Sequence, residues 1–365
     1  MYLFRVNKQR ILGLMSGTSL DGLDLCLAEF IQGEAGWTYT LVAAQTLEYT
    51  AQMRRELSEA LTYLPDRLDL AHRDYGIWLG AQAKNWLQTK GLTCDAIASH
   101  GHTVHHRPDQ GYTFQLGDGQ SLSNASASEV ICDFRSQDVA LGGQGAPLVP
   151  IGDELLFGRY GFCLNLGGIC NISMKFQGSR KAFDVGICNM LLNRLAETLG
   201  YQYDAGGEIA ASGHLLPELL ATLNDLEYYR IQGPKSTGVE WFNQCVWPLF
   251  IDQRATSLHN IKDQLHTACH HIAYQIAQSI NQFTTDNRKV LITGGGAHNL
   301  FLIQCLQSYL PEHFLVVPQD GLVDAKEALI FAFMGALHRA GQVNCLAEVT
   351  GARVNSIAGV QFFPQ

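Results

Sequence analysis

Apolar and polar positions alternate in short runs over the first fifty residues, with glycine and aspartate marking the breaks, a strand-and-turn pattern. The runs predict strands over 11–16, 23–30 and 38–49, the first two joined by a tight loop. Such a hairpin-first start differs from the strand and crossover helix of a dinucleotide-binding unit. Helices are predicted at 52–63 and 68–88, then strands at 95–99 and 129–134. The pattern restarts with strands at 162–166, 172–176 and 181–184 and a helix from Gly186, so the second half echoes the first. Leu265, Cys269, Ile272, Ile276, Ile280 and Phe283 recur three or four residues apart, marking one buried stripe of a long helix that feeds a strand at 290–293. The segment 324–337 is apolar on nearly every side, which predicts a helix buried between layers, with Asp324 as its N-cap.

With 365 residues the chain is longer than one core usually sustains, so two α/β domains are expected. The break falls near 133–145, where Gly142-Gly143-Gln144-Gly145 reads as a hinge or site loop. The predicted domains are 1–133 with about 345–365, and 134–344.

Three glycine-rich segments each follow a predicted strand: Gly17 to Gly22, Asn165-Leu166-Gly167-Gly168, and Gly294-Gly295-Gly296. Glycines let successive backbone N–H groups approach phosphate oxygens, and Thr18 and Ser19 add hydroxyl donors. The trio suggests a two-domain nucleotide clamp, with the third segment at the adenosine end. A net charge of −9 and the lack of a basic run argue against nucleic acid and anionic membranes as partners. No apolar stretch has the length of a membrane span, and the first ten residues lack a signal-peptide core, so a cytoplasmic location is expected. The ten cysteines include no C-x-x-C pair and read as reduced, buried thiols.

The segments Met15-Ser16-Gly17-Thr18-Ser19-Leu20-Asp21-Gly22-Leu23-Asp24 and Asp133-Phe134-Arg135, with Asp138 through Pro150, closely resemble the anhydro-N-acetylmuramic acid kinase family. His100-Gly101, Gly117-Asp118, Asn165 to Gly168, Lys235-Ser236-Thr237-Gly238 and Gly294 to Gly296 match in the family's order, from about Ile11 to Gly351. The resemblance implies the acetate and sugar kinase, heat-shock chaperone and actin superfamily, whose fold is a duplicated actin-like (ribonuclease H-like) α/β domain with ATP in the interdomain cleft. It implies that water opens the 1,6-anhydro bridge of the amino sugar at C1 while the γ-phosphoryl of ATP goes to O6, a step in cell-wall recycling. ATP and Mg²⁺ are the implied cofactors, and a homodimer is the assembly considered.

On the family match Asp184 is the catalytic base, whereas the residues alone favour a helix N-cap. Gly17, Thr18, Ser19, Leu20, Asp21, Gly22, Leu23 and Asp24 resemble the ATP loop, with Asp21 toward Mg²⁺; the plain alternative is a hairpin turn on Asp21-Gly22. Gly167, Gly168, Gly186, Gly294, Gly295 and Gly296 complete the nucleotide set. Glu327 either reaches ATP or caps its helix. Arg135 and Asp138 either meet the sugar or form a surface ion pair, and His100 and Asp118 are further sugar contacts. His100, His102 and His106 share a strand face, which makes metal binding a minority reading. The chain departs from its relatives after Asp184: Val185-Gly186-Ile187-Cys188-Asn189 replaces Thr-Gly-Pro-Gly-Asn, and Asn193 replaces an acidic residue. If the changed groups face phosphate, turnover falls or the substrate shifts, and a non-catalytic sugar or nucleotide sensor becomes the rival from another class.

Overall fold

The computed structural model describes residues 7–17, 20–231, 235–250, 258–283, 287–319 and 321–365. The chain forms two compact units, Met1–Gly158 with Asp320–Gln365, and Arg159–Gln319.

Among the described residues, the first unit is built on β1 (Asn7–Ser16), β2 (Gly22–Gly33), β3 (Gly36–Glu48), β4 (Ala96–Arg107), β5 (Tyr112–Leu116) and β6 (Val130–Cys132). β1, β2 and β3 form an antiparallel meander, with Ile11 opposite Ala28 and Cys26 opposite Ala44. β4 joins β1 in parallel, with Gly13 opposite Ala98, and β6 joins β4 in parallel. Parallel neighbours need a long crossover, which helix Pro65–Lys90 provides between β3 and β4. The C-terminal strand Val360–Phe362 pairs antiparallel with β6, and β5 pairs with β4.

Both faces of this sheet are covered, which explains why β1 is apolar at consecutive positions. Leu12, Leu14, Leu25, Leu27 and Ile97 pack with Tyr75, Leu79, Ala83 and Trp86 of helix Pro65–Lys90. The opposite face meets helix Leu322–Arg339, which packs on β1, β2 and β4. Every residue of that helix from Ala328 through Leu337 is buried, as its all-round apolar sequence predicts.

The second unit repeats the plan with β7 (Phe162–Leu166), β8 (Ile169–Phe176), β9 (Ser179–Ile187), β10 (Lys289–Thr293) and β11 (Phe314–Val316). β7, β8 and β9 are antiparallel, and β10 and β11 add in parallel beside β7. The order β11-β10-β7-β8-β9 reproduces β6-β4-β1-β2-β3. This repeat is the duplicated actin-like, ribonuclease H-like α/β fold.

Several boundaries differ from the sequence reading. The first unit runs on to Gly158 and resumes at Asp320, instead of ending at 133 and resuming at 345. Helix Leu322–Arg339 belongs to the first sheet, and Lys326 pairs in the interior with Asp153 (2.8 Å) of helix Pro150–Leu155. Gly321, at φ 79°, is the N-cap of that long helix, and Asp324 lies in its first turn. β9 continues through Ile187, held opposite Ile169, so the next helix starts at Asn189 rather than Gly186.

Candidate functional site

A buried chain of hydroxyls fixes the end of β1. Tyr49 Oη donates to Ser16 Oγ (2.7 Å), Ser16 Oγ lies 3.0 Å from His102 Nδ1, and Tyr75 Oη lies 2.8 Å from Tyr49 Oη. Each hydroxyl has one proton to donate, so the bonds run from Tyr75 to Tyr49 to Ser16 to His102. Burial pushes the pKa of His102 down to about 4, and the neutral ring can accept at Nδ1.

Beyond Ser16 the loop turns, with Leu20 N–H donating to Gly17 O (3.3 Å) and Leu20 at φ 60°. Thr18 and Ser19 lie outside the described residues. Asp21 is exposed, whereas Gly22 and Leu23 are buried and paired with β3. Asp24 is half-buried and accepts a hydrogen bond from Thr46 Oγ1 at 2.6 Å. Burial pushes its carboxyl up to about 6; the Thr46 bond opposes this, while the negative charges of Glu327, Asp21 and Asp324 add to it. Glu327 is likewise raised by burial, against the pull of Lys326 and Arg135. It is the sixth residue of helix Leu322–Arg339, too far along to cap it.

Among the described residues no three His, Cys, Asp or Glu side chains form a metal site by themselves. Mg²⁺ bound beside phosphates commonly takes only one or two carboxylates, with phosphate and water oxygens completing its shell. Asp21 and Asp24 offer two such carboxylates, and a cation there would relieve the repulsion that helps raise Asp24.

His100 and Arg135 form a second cluster in the same unit. His100 Nδ1 donates to Gly101 O (2.9 Å), and its Nε2 accepts from Arg135 Nε (3.0 Å) and Nη2 (2.8 Å). Only the neutral ring can do this, and burial with the Arg135 charge holds its pKa well below the usual histidine range. Arg135 Nη1 also donates to Gly145 O (2.6 Å). Asp138, 1% exposed, accepts from Gly145 N–H (2.7 Å), Thr350 Oγ1 (2.7 Å) and Cys345 Sγ (3.2 Å). Both of its oxygens are engaged by the protein, so the expected sugar contact gives way to a role in holding the 142–145 loop. The alternative of an Arg135–Asp138 surface pair also fails, since each group has these other partners.

Asp118 caps helix Gly119–Ser126, its Oδ2 accepting from Ser121 N–H (2.6 Å). With His72, His100, Thr113, Asp133 and Ser136 it lines a cavity of about 180 Å³. His72 Nδ1 accepts from Gly117 N–H (3.1 Å), which turns the rest of the ring to other contacts. His72 carries no motif of its own, and the sequence reading missed it.

In the second unit Asp184 lies within β9 opposite Asn171, so it is no helix cap. Thr237 N–H donates to its Oδ2 at 3.1 Å. Burial raises the carboxyl above the usual range, with the Thr237 bond opposing. The glycine segments of this unit meet at one end of its sheet. Gly168 O accepts from the N–H groups of Cys188 (2.9 Å) and Met190 (3.1 Å), and Gly167 O from that of Asn189 (3.1 Å). Asn189 Nδ2 donates to Leu166 O (2.9 Å), and Gly294 and Gly296 lie against Leu166. Gly295 is the open member, with Asn189 Nδ2 the nearest atom to the space beside it. Gly186 lies under the Tyr229 ring, where a Cβ would come within 2.7 Å of the hydroxyl.

The model of the anhydro-N-acetylmuramic acid kinase family matches residues 9–364. The chain belongs to that family. A curated anhydro-N-acetylmuramic acid kinase from Shewanella sp. (strain MR-4) is 34% identical, over 98% of this chain and 99% of that protein. Another, from Burkholderia orbicola (strain AU 1054), is 36% identical over 96% and 95%. Among solved structures, component A of (R)-2-hydroxyglutaryl-CoA dehydratase from Acidaminococcus fermentans aligns at 13% identity and a TM-score of 0.45, covering 92% of this chain and 100% of that one.

The segment after Asp184, where the sequence analysis expects a departure from the family's pattern, is buried. Val185, Ile187 and Cys188 are 2%, 3% and 0% exposed. They are core side chains rather than ligand-facing ones, and Asn193 is half-buried on the following helix.

Proposed function

We propose that the protein uses ATP to convert anhydro-N-acetylmuramic acid to N-acetylmuramic acid 6-phosphate. Family membership supports the substrate, and the setting of Asp184 is the observation that carries the mechanism. Its Oδ2 is held by Thr237 N–H, and its raised pKa makes it a better proton acceptor than an ordinary carboxylate. Asp184 takes a proton from water, whose oxygen bonds to C1 of the sugar. The C1–O6 bond breaks with its electron pair going to O6, which bonds to the γ-phosphorus as the bond to ADP breaks.

In the first unit the 17–24 loop would meet phosphate oxygens, and Arg135 with the cavity lined by His72, Asp118 and Asp133 would hold the sugar. Arg135 suits the sugar's lactyl carboxylate. Mg²⁺ held by Asp21 and Asp24, with phosphate and water oxygens completing its shell, would offset the charge of the phosphates. No described helix is long and apolar enough to cross a membrane. A cytoplasmic setting is in keeping with eight of the ten cysteine side chains being buried. The sensor reading loses its motive, because the residues that prompted it are buried.

Turnover in ¹⁸O-labelled water tests the reading. The product is expected to carry label at C1 and none in its phosphate ester bridge. Labelled inorganic phosphate with an intact anhydro ring would show plain ATP hydrolysis and refute it.

A further inference from the structure

Asp184 is gripped at three of its atoms. Its N–H donates to Lys235 O (2.9 Å), its C=O accepts from Tyr228 Oη (2.8 Å), and Oδ2 accepts from Thr237 N–H (3.1 Å). Lys235 closes the grip: Nζ donates to Tyr228 O (3.2 Å) and sits 4.6 Å from the Tyr228 ring centre and 5.8 Å from that of Tyr229. Cation–π attraction and a charge-assisted hydrogen bond thus fasten the strap 235–237 to the turn Glu227–Arg230.

A buried network supports the turn from behind. Asn224 Oδ1 accepts from Gln275 Nε2 (2.9 Å) and lies 2.7 Å from His271 Nδ1, so Nδ1 carries the proton. His271 Nε2 is then the acceptor for Tyr229 Oη at 3.0 Å. The Tyr229 ring is fixed in turn against Gly186, two residues beyond Asp184.

We propose that Tyr228 and Lys235 are positioning residues, which hold Thr237 N–H on Oδ2 of Asp184 and leave Oδ1 to receive the proton. Among the described residues Oδ1 has no hydrogen-bond partner. The inference rests on Asp184 being the base. The titratable groups facing Asp184 are Tyr228 from the turn and Cys170 from β8, and the Lys235 ammonium lies against Tyr228. Burial keeps Tyr228 and Cys170 in their neutral forms at neutral pH.

Tyr228→Phe removes the hydroxyl and keeps the ring and the lysine charge, while Lys235→Met removes the ammonium and Lys235→Arg should restore part of its effect. The sugar-dependent rate of each variant is followed against pH, and the ¹³Cγ resonance of Asp184 is titrated in parallel. Loosening the Thr237 bond removes an interaction that favours the carboxylate. The Asp184 titration and the acid limb of kcat should therefore move to higher pH by about one unit. kcat should fall about tenfold, with KM for sugar and ATP within about twofold. A lowered melting temperature with an unmoved Asp184 titration in Tyr228→Phe would overturn the inference. If the parent protein releases no ADP with the anhydro sugar, the proposed reaction fails, and the carboxyl titration alone still decides whether the strap sets Asp184.

Discussion

Gly13→Ala tests how closely helix Leu322–Arg339 is set against the first sheet. A Cβ at position 13 would stand 1.9 Å from Ala328 O and 3.0 Å from Ala332 N, both backbone atoms of that helix. Ordinary contact begins at 3.4 Å, so the helix must retreat from β1 by about 1.5 Å. It cannot do so alone, because Gly335 lies on Ala98 and Lys326 is paired in the interior with Asp153. Overpacking of this kind costs about 1–3 kcal/mol. That corresponds to a fall of roughly 2–12 °C in melting temperature for a unit of this size. Glu327 precedes Ala328 and moves with it, away from Asp24 and Arg135. A misplacement of about 1 Å at a reacting centre can lower a rate about 10²-fold. Calorimetry and ADP release on the purified variant measure both effects, with the sheet checked by circular dichroism. A variant with parental melting temperature and parental rate would show that β1 and the helix are not in such close contact, and the placing of Glu327 would fall with it.

Asp184→Asn should retain sugar and nucleotide affinity by calorimetry while losing about 10²- to 10⁴-fold in kcat; a rate above half the parent's would remove Asp184 from the role of base. The double change Val185→Thr with Cys188→Gly should lower the melting temperature without raising kcat, because it puts a hydroxyl and a void among buried side chains; a gain in turnover would mean that these positions face the phosphates after all. Asp24 has a pKa raised from 3.8 to about 6, so burial favours its protonated form. Its favourable contribution is complete below 3.8 and is lost as pH rises through 6, hence Asp24→Asn should be more stable than the parent at pH 7 and equal to it below about pH 4. Denaturant melts at the two pH values read this directly, and a stabilisation that persists unchanged at low pH would refute the assignment. The same variant should show a smaller thermal stabilisation by Mg²⁺ with an ATP analogue than the parent, if Asp24 helps hold the cation.

The strands flanking the first glycine loop are legible in sequence because both faces of β1 and β2 are covered, leaving long apolar runs ended by glycine. β5 is not. Its residues 112–116 follow β4 after one short turn, and β4 itself is rich in histidine, with a bulge between Thr103 and His105 that breaks the alternation. The start of the helix after Asp184 is misread from sequence because pairing with β8, invisible in the local residues, keeps β9 extended to Ile187. Asp184 can be picked out only through the family's motif, since by itself an aspartate near a glycine reads as a cap. Asp138 looks like a ligand because two of its three partners, Cys345 and Thr350, lie more than two hundred residues away in sequence. The Tyr228 contact with Asp184 is hidden for the same reason: a tyrosine pair in a short turn carries no signal of what its hydroxyls will meet.

The discontinuity of the first unit bears on how the chain is made. Translation completes its first 158 residues, including six of the sheet's strands, and then delivers all of Arg159–Gln319 before the helix that covers the β1–β2–β4 face exists. At about 5–20 residues per second, that interval lasts roughly 8–30 s. During it, Ile11, Ala28, Phe30 and Ala98 have no permanent cover, while the second unit, continuous in sequence, can finish folding on its own. The nascent first unit is therefore the aggregation-prone species, and demand for a chaperone should peak before the segment from Asp320 onward leaves the ribosome.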